Sequence, residues 1–110
     1  MKLATREVGS ATIIDFEGRL DTRTVDEAEQ ELMGQLQGSP DQFLINLSQL
    51  EFVSSAGLRT ILRAAKLVRG KGGVLKVSSA RGVVKEVLEI SGLDSLLQLY
   101  EDEEQALAAF

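Results

Sequence analysis

The chain has 110 residues, with 12 Lys and Arg against 17 Asp and Glu for a formal net charge of −5, and it contains neither cysteine nor histidine. That length holds one domain, residues 1–110, with a modest core; four Phe, one Tyr and no Trp leave burial to Leu, Ile, Val and Ala, which suits thin helix-on-sheet layers. The missing residue types exclude disulfides, Cys- or His-ligated metal and Ser-His-Asp chemistry, and the acidic balance argues against non-specific binding to nucleic acid, which relies on basic patches.

Lys2 to Val8 and Ala11 to Glu17 read as strands separated by Gly9-Ser10, an opening hairpin. Gly18-Arg19-Leu20-Asp21 leads out of the second strand to Thr24, which has Glu27 three residues on. That spacing predicts a capping box ahead of a helix with Val25, Ala28, Leu32 and Leu36 on one face, ending near Gly38 and before Pro40. Phe43 to Leu47 is a short apolar run of the kind a strand buried on both faces shows.

Leu58, Ile61, Leu62, Ala65 and Val68 then recur at helical spacing, with Arg59, Arg63 and Lys66 on the polar face, read first as ordinary solvent exposure and second as a docking surface. Gly70 to Gly73 breaks the pattern and Val74 to Val77 resumes as a strand. Ser79 is the expected cap of a third helix carrying Val83, Val84, Val87 and Leu88, with Ile90 as a further candidate, and Gly92 in the left-handed position after it. Leu96 to Tyr100 is an edge-strand candidate. Asp102 is the expected cap of a last helix, and the run Glu101 to Glu104 reads as a solvated helix start. A hairpin followed by strands alternating with helices implies an α/β fold: a mixed sheet, opening hairpin then parallel strands, with crossover helices mainly on one face. No apolar stretch approaches a membrane span and the first residues lack the apolar core of a signal peptide, so a cytoplasmic protein without membrane insertion is expected.

Ser54 and Ser55 fall where the buried strand hands over to the helix. Unpaired N–H groups and the positive end of the helix dipole would favour a phosphate on a serine there, while plain helix capping is the competing reading. Arg59, one turn from Ser55, is long enough to approach such a phosphate. A Ser55 nucleophile would need a lysine or carboxylate base, and there is no Gly-x-Ser-x-Gly elbow; Gly70-Lys71-Gly72-Gly73 does not match a phosphate-binding loop. A serine or nucleotide hydrolase is therefore the weakest reading, and no enzyme activity, metal or cofactor of the protein's own is expected.

Gly18-Arg19-Leu20-Asp21, the block from Leu44-Ile45-Asn46-Leu47-Ser48 through Phe52-Val53-Ser54-Ser55-Ala56-Gly57-Leu58-Arg59, and Gly92-Leu93 together resemble the STAS domain, specifically the anti-sigma factor antagonists of bacterial partner-switching systems. The resemblance implies that Ser55, two positions before Gly57, is the phosphoacceptor, with Asp21, Ser54, Ala56, Gly57, Leu58 and Arg59 contributing to partner contact. For Asp21 a plain turn or cap role competes on nearly equal terms. Ser54 stands where relatives often carry aspartate, which makes it a competing acceptor. The implied partners are a serine kinase of the histidine-kinase-like ATPase fold that doubles as an anti-sigma factor, and a PP2C-type phosphatase; the free protein is expected to be a monomer or weak dimer. The alternative within the same fold is a scaffold that is not phosphorylated, such as a subunit of a lipid-transport ATPase or a stress-sensing complex. A neighbouring kinase or phosphatase gene would favour the first, transporter genes the second.

Overall fold

The computed structural model describes residues 1–38 and 41–110, so Pro40 lies outside the described residues. Chain order is β1 (Lys2–Val8), β2 (Ala11–Leu20), α1 (Val25–Gln35), β3 (Gln42–Val53), α2 (Ser55–Gly70), β4 (Val74–Ser78), α3 (Gly82–Ile90), a 3-10 turn at Leu93–Ser95, β5 (Leu99–Tyr100) and α4 (Glu103–Ala108). The five strands lie in sequence order; β1 and β2 are antiparallel and every later pair is parallel. Each parallel pair is joined through one helix, the long connection that parallel pairing requires.

The apolar residues sort onto two sides of the sheet. Ile14, Phe16, Phe43, Ile45 and Leu47 form one continuous core with Ala28, Leu32 and Leu36 of α1, Leu58, Ile61, Ala64 and Val68 of α2, and Val84 and Leu88 of α3. Ala11, Ile13 and Leu44, the alternate positions of the same strands, meet Ala106 of α4 in a small second cluster. Three helices thus share one side, as the sequence predicts, and α4 covers part of the other.

Several local expectations need correction. β2 does not end at Glu17: it runs on to Leu20 through register shifts after Asp15 and after Gly18, and β3 runs on from Leu47 to Val53 as its partner. The Thr24–Glu27 capping box is not made. The Thr24 hydroxyl instead donates to the Arg19 carbonyl at 2.8 Å and accepts from the Asp21 N–H at 3.0 Å, because the tight exit from β2 reaches it first. α1 ends at Gln35, with Leu36 as its C-cap, rather than near Gly38. Ser79 caps nothing. It takes a left-handed φ of 68° that directs its N–H to the Tyr100 carbonyl at 3.2 Å, and α3 starts after Arg81 with no side-chain cap. The edge strand shrinks to Leu99–Tyr100, since the Leu96 and Leu97 N–H groups both donate to the Leu93 carbonyl at 2.9 Å and close the 3-10 turn instead. Gly92 at φ 77° and the Asp102 cap, which accepts from the Gln105 N–H at 2.8 Å, are as predicted.

The acidic run near the end is not simply solvated. Glu103 accepts from Arg6 at 2.6 and 3.2 Å and from Asn46 at 2.8 Å, while Arg6 also pairs with both oxygens of Asp15. The Arg6 guanidinium, against a partial opposing cost of burial, holds the Glu103 carboxyl below the usual carboxylate range. The Arg63 guanidinium and then the Thr60 hydroxyl do the same for Glu29. With folded values depressed, the unfolded chain binds more protons in acid, so this stabilisation is complete above the unfolded glutamate pKa of about 4.3 and is lost as pH falls through the folded values. Thermal melts between pH 6 and 3, a window set around the ~4.3 reference, should therefore fall more steeply for wild type than for Glu103→Gln. The variant should be the less stable at neutral pH, and parallel curves would remove Glu103 from the acid response.

Candidate functional site

The C-terminal ends of β2 and β3 carry the site, the rim where parallel α/β sheets place their binding groups. Ser54 leaves β3 with extended backbone (φ −90°, ψ 172°), and its N–H donates to the Leu20 carbonyl at 2.9 Å, tying the end of β2 to the start of α2. The Ser54 Oγ accepts from the Gly57 N–H at 3.2 Å and its carbonyl from the Leu58 N–H at 2.9 Å. Ser54 is therefore the helix cap, half-buried with its hydroxyl engaged. Ser55 is the first residue of α2 and is exposed. First-turn N–H groups of a helix have no acceptor four residues back, so those of Ser55 and Ala56 are available to an anion on the Ser55 side chain. The two serines that the sequence left as competing acceptors thus differ in setting.

Gly57 makes this corner possible. A Cβ there would fall 2.8 Å from Leu20 Cγ and 2.9 Å from Val53 Cγ2, both side chains essentially fully buried. Without it, α2 starts directly on top of the ends of β2 and β3, and the loop holding Asp21 is brought beside the serines. Leu58 is buried beneath the first turn, so it supports the site from the core, while Ala56 is half-buried and Arg59 exposed.

Asp21 organises its own loop. One carboxylate oxygen accepts from the Arg23 N–H at 3.0 Å, the other lies 3.7 Å from Arg19 Nε, and the Asp21 carbonyl accepts from the Thr24 and Val25 N–H groups at 3.1 and 2.9 Å. The Arg23 N–H above all, with the Thr24 N–H and the Arg19 charge, keeps this carboxyl below its ordinary range. The turn role weighed for Asp21 is real, and it leaves an ionised group at the rim. Arg19 lies over the Phe52 ring, 4.6 Å from its centroid.

The basic stripe on α2 is narrower than the spacing implies. Arg63 pairs with Glu29 of α1 at 2.8 Å, and the same Glu29 oxygen accepts from Thr60, a residue 1% exposed. Among the described residues Arg59 has no ion pair or hydrogen bond, so it is the free cation one turn from Ser55. No helical or strand period in the sequence points to Glu29 or the Leu20 carbonyl, because their partners lie 31 to 34 positions away. An open cleft of about 610 Å³ between β2, β3 and the start of α3 is lined by Glu17, Ser48, Glu51 and Arg81, among others, and by neither Ser54 nor Ser55. Among the described residues no three carboxylates gather as a metal site, and no helix is long and apolar enough to cross a membrane.

Fold and corner together define a class: a small α/β domain presenting an exposed serine on a capped helix start at the sheet rim. Residues 2–106 match the STAS domain model, and the chain belongs to the STAS domain family. It is 33% identical over 110 residues to a putative anti-sigma factor antagonist, BtrV, of Bordetella bronchiseptica, covering all of this chain and 95% of that one. It is 31% identical over 96 residues to the anti-sigma F factor antagonist of Paenibacillus polymyxa, covering 86% and 82%. The structure of an anti-sigma factor antagonist from Mycobacterium paratuberculosis superposes with a TM-score of 0.87 at 25% identity, over 98% of this chain and 92% of that one. The Bacillus cell fate determinant SpoIIAA, in a structure of its phosphorylated form, shares the fold at a TM-score of 0.70 and 19% identity, with 98% of each chain covered.

Proposed function

We propose that this protein is an anti-sigma factor antagonist, switched by phosphorylation of Ser55. In this reading the unphosphorylated form binds a serine kinase that also serves as an anti-sigma factor, and binding releases what that partner holds. The kinase phosphorylates Ser55 and the complex ends; a PP2C-type phosphatase resets it in the cytoplasm. The protein itself performs no catalysis and needs no cofactor.

The observation that carries the reading is the division of labour between the two serines. Ser54 uses its hydroxyl to cap α2, while Ser55 stands exposed on the first turn beside a small neighbour, Ala56, that lets a kinase site approach. Phosphorylation adds a charge of about −1.5 to −2 and three acceptor oxygens. In the free protein those oxygens meet the unpaired N–H groups of the first turn, and Arg59 within reach. In an apposed interface the same charge must be desolvated against the partner, so free and bound states respond in opposite directions. The relatives named as anti-sigma factor antagonists, and the existence of a phosphorylated form of SpoIIAA, support this assignment.

The test is direct. Incubation with the cognate kinase and ATP, followed by mass spectrometry, should place one phosphate on Ser55, with Ser54→Ala still modified and Ser55→Ala not. Phosphate on Ser54 in the wild type, or undiminished modification of Ser55→Ala, would overturn the assignment.

A further inference from the structure

We propose that α4 is a strap that opens from the sheet as a unit of its own, before the five strands loosen, and that Arg6 holds it shut. The helix has six residues and buries only Ala106 fully. It rests on Ala11, Ile13 and Leu44, a cluster separate from the main core. A helix this short is not stable by itself in water, so what keeps it folded is its attachment.

The attachments sit at its two ends. At the start, the Glu103 carboxylate accepts from Arg6 at 2.6 and 3.2 Å and from Asn46 at 2.8 Å, and Arg6 is itself held by Asp15 at 2.7 and 2.9 Å. One guanidinium therefore ties β1, β2 and α4 together through charge-assisted bonds, the stronger kind. Beyond the other end, the Phe110 ring stands 5.2 Å and the Tyr100 ring 5.0 Å from Lys76 Nζ. Lys76 is only 4% exposed, and its ammonium donates to two neutral groups, Gln98 Oε1 at 2.6 Å and the Tyr100 hydroxyl at 3.0 Å. Its charge is sheltered by rings and dipoles without an opposing carboxylate among the described residues.

The two ends pull in opposite directions. A buried ammonium without a counter-charge regains hydration when its cover leaves, so the Phe110 end favours opening. The Glu103 end opposes it, because opening breaks the bonds to Arg6 and Asn46. The main core is untouched, since its helices lie on the other side of the sheet. Opening of α4 is thus cheaper than global unfolding and governed by Arg6, the behaviour of a locally unfolding unit.

Amide hydrogen exchange of the full chain, read residue by residue by NMR, tests this. In the wild type the α4 amides from Ala106 to Ala109 should exchange faster than those of Ile45 and Leu47 in β3, yet slower than an unstructured peptide. Arg6→Ala should speed α4 exchange by about tenfold or more, the loss expected for hydrogen bonds to a charged group, while Ile45 and Leu47, which exchange only when the main core opens, stay the slower group. Glu103→Gln, which keeps the shape and removes the charge, should shift α4 in the same direction by less. Equal rates in α4 and β3 that move together in both variants would make α4 part of one cooperative unit and overturn the proposal. Exchange of α4 at the unstructured rate in wild type, insensitive to Arg6→Ala, would overturn it equally.

Discussion

Ser55→Asp is expected to weaken binding to the anti-sigma partner by about 100-fold or more, while Ser55→Ala binds like wild type. The asymmetry follows from the setting. Among the described residues the Ser55 hydroxyl makes no hydrogen bond, and it lies exposed on the first turn of α2, so removing it costs the interface little. Adding a carboxylate places a charge where docking would strip its water, and misplaced charge in an interface costs several kcal/mol against about 1.4 kcal/mol per factor of ten. The free protein tolerates the aspartate, since acidic side chains in a helix's first turn are stabilising. Calorimetric titration of the partner with the three forms measures this. Equal affinity of wild type and Ser55→Asp would overturn a charge-operated switch at this position.

Gly57→Ala should destabilise the fold by about 1–3 kcal/mol, the range for overpacking a well-filled core. At this chain length that corresponds to a fall in Tm of roughly 4–15 °C. The new methyl would sit 2.8 Å from Leu20 Cγ, an interior branch point, and 2.9 Å from Val53 Cγ2. Neither neighbour has room to withdraw, so α2 must lift from the ends of β2 and β3 and carry Ser54 and Ser55 with it. Binding of the partner and phosphorylation of Ser55 should both fall below what the lost stability explains at temperatures where the variant remains folded. A thermal melt unchanged from wild type would show that the corner is looser than its geometry.

Much of this fold was legible because its signals are local. The alternation of Ile14 and Phe16, the apolar run from Phe43 to Leu47 and the helical spacing of Leu58, Ile61 and Val68 each report burial within one element. The Asp102 cap and the glycine after α3 were legible for the same reason. Local signals mislead where two elements compete for one group. Thr24 matches a capping box, but the Arg19 carbonyl and Asp21 N–H in the turn before it claim the hydroxyl. Ser79 matches a cap, but the edge strand claims its backbone. The strand ends read short in the sequence because Gly18 and the polar Ser48-Gln49 break the apolar pattern, while the register shifts that let β2 and β3 continue leave no periodic trace.

The site divides in the same way. The sequence by itself determined that two serines meet a helix start, that neither histidine nor cysteine is present to make either a conventional nucleophile, and which family block surrounds them. Only the tertiary structure separated the two hydroxyls, because capping is a matter of which oxygen reaches the Gly57 N–H. Tertiary structure alone also set Arg59 apart from Arg63, whose charge Glu29 of another helix already answers, and brought Asp21 to the rim through the bond from the Ser54 N–H to the Leu20 carbonyl. The Glu29–Arg63 pair and the Ser54–Leu20 bond each span 34 residues and are fixed by packing one layer on another, while the Ser54 cap spans three and depends on where β3 hands over to α2.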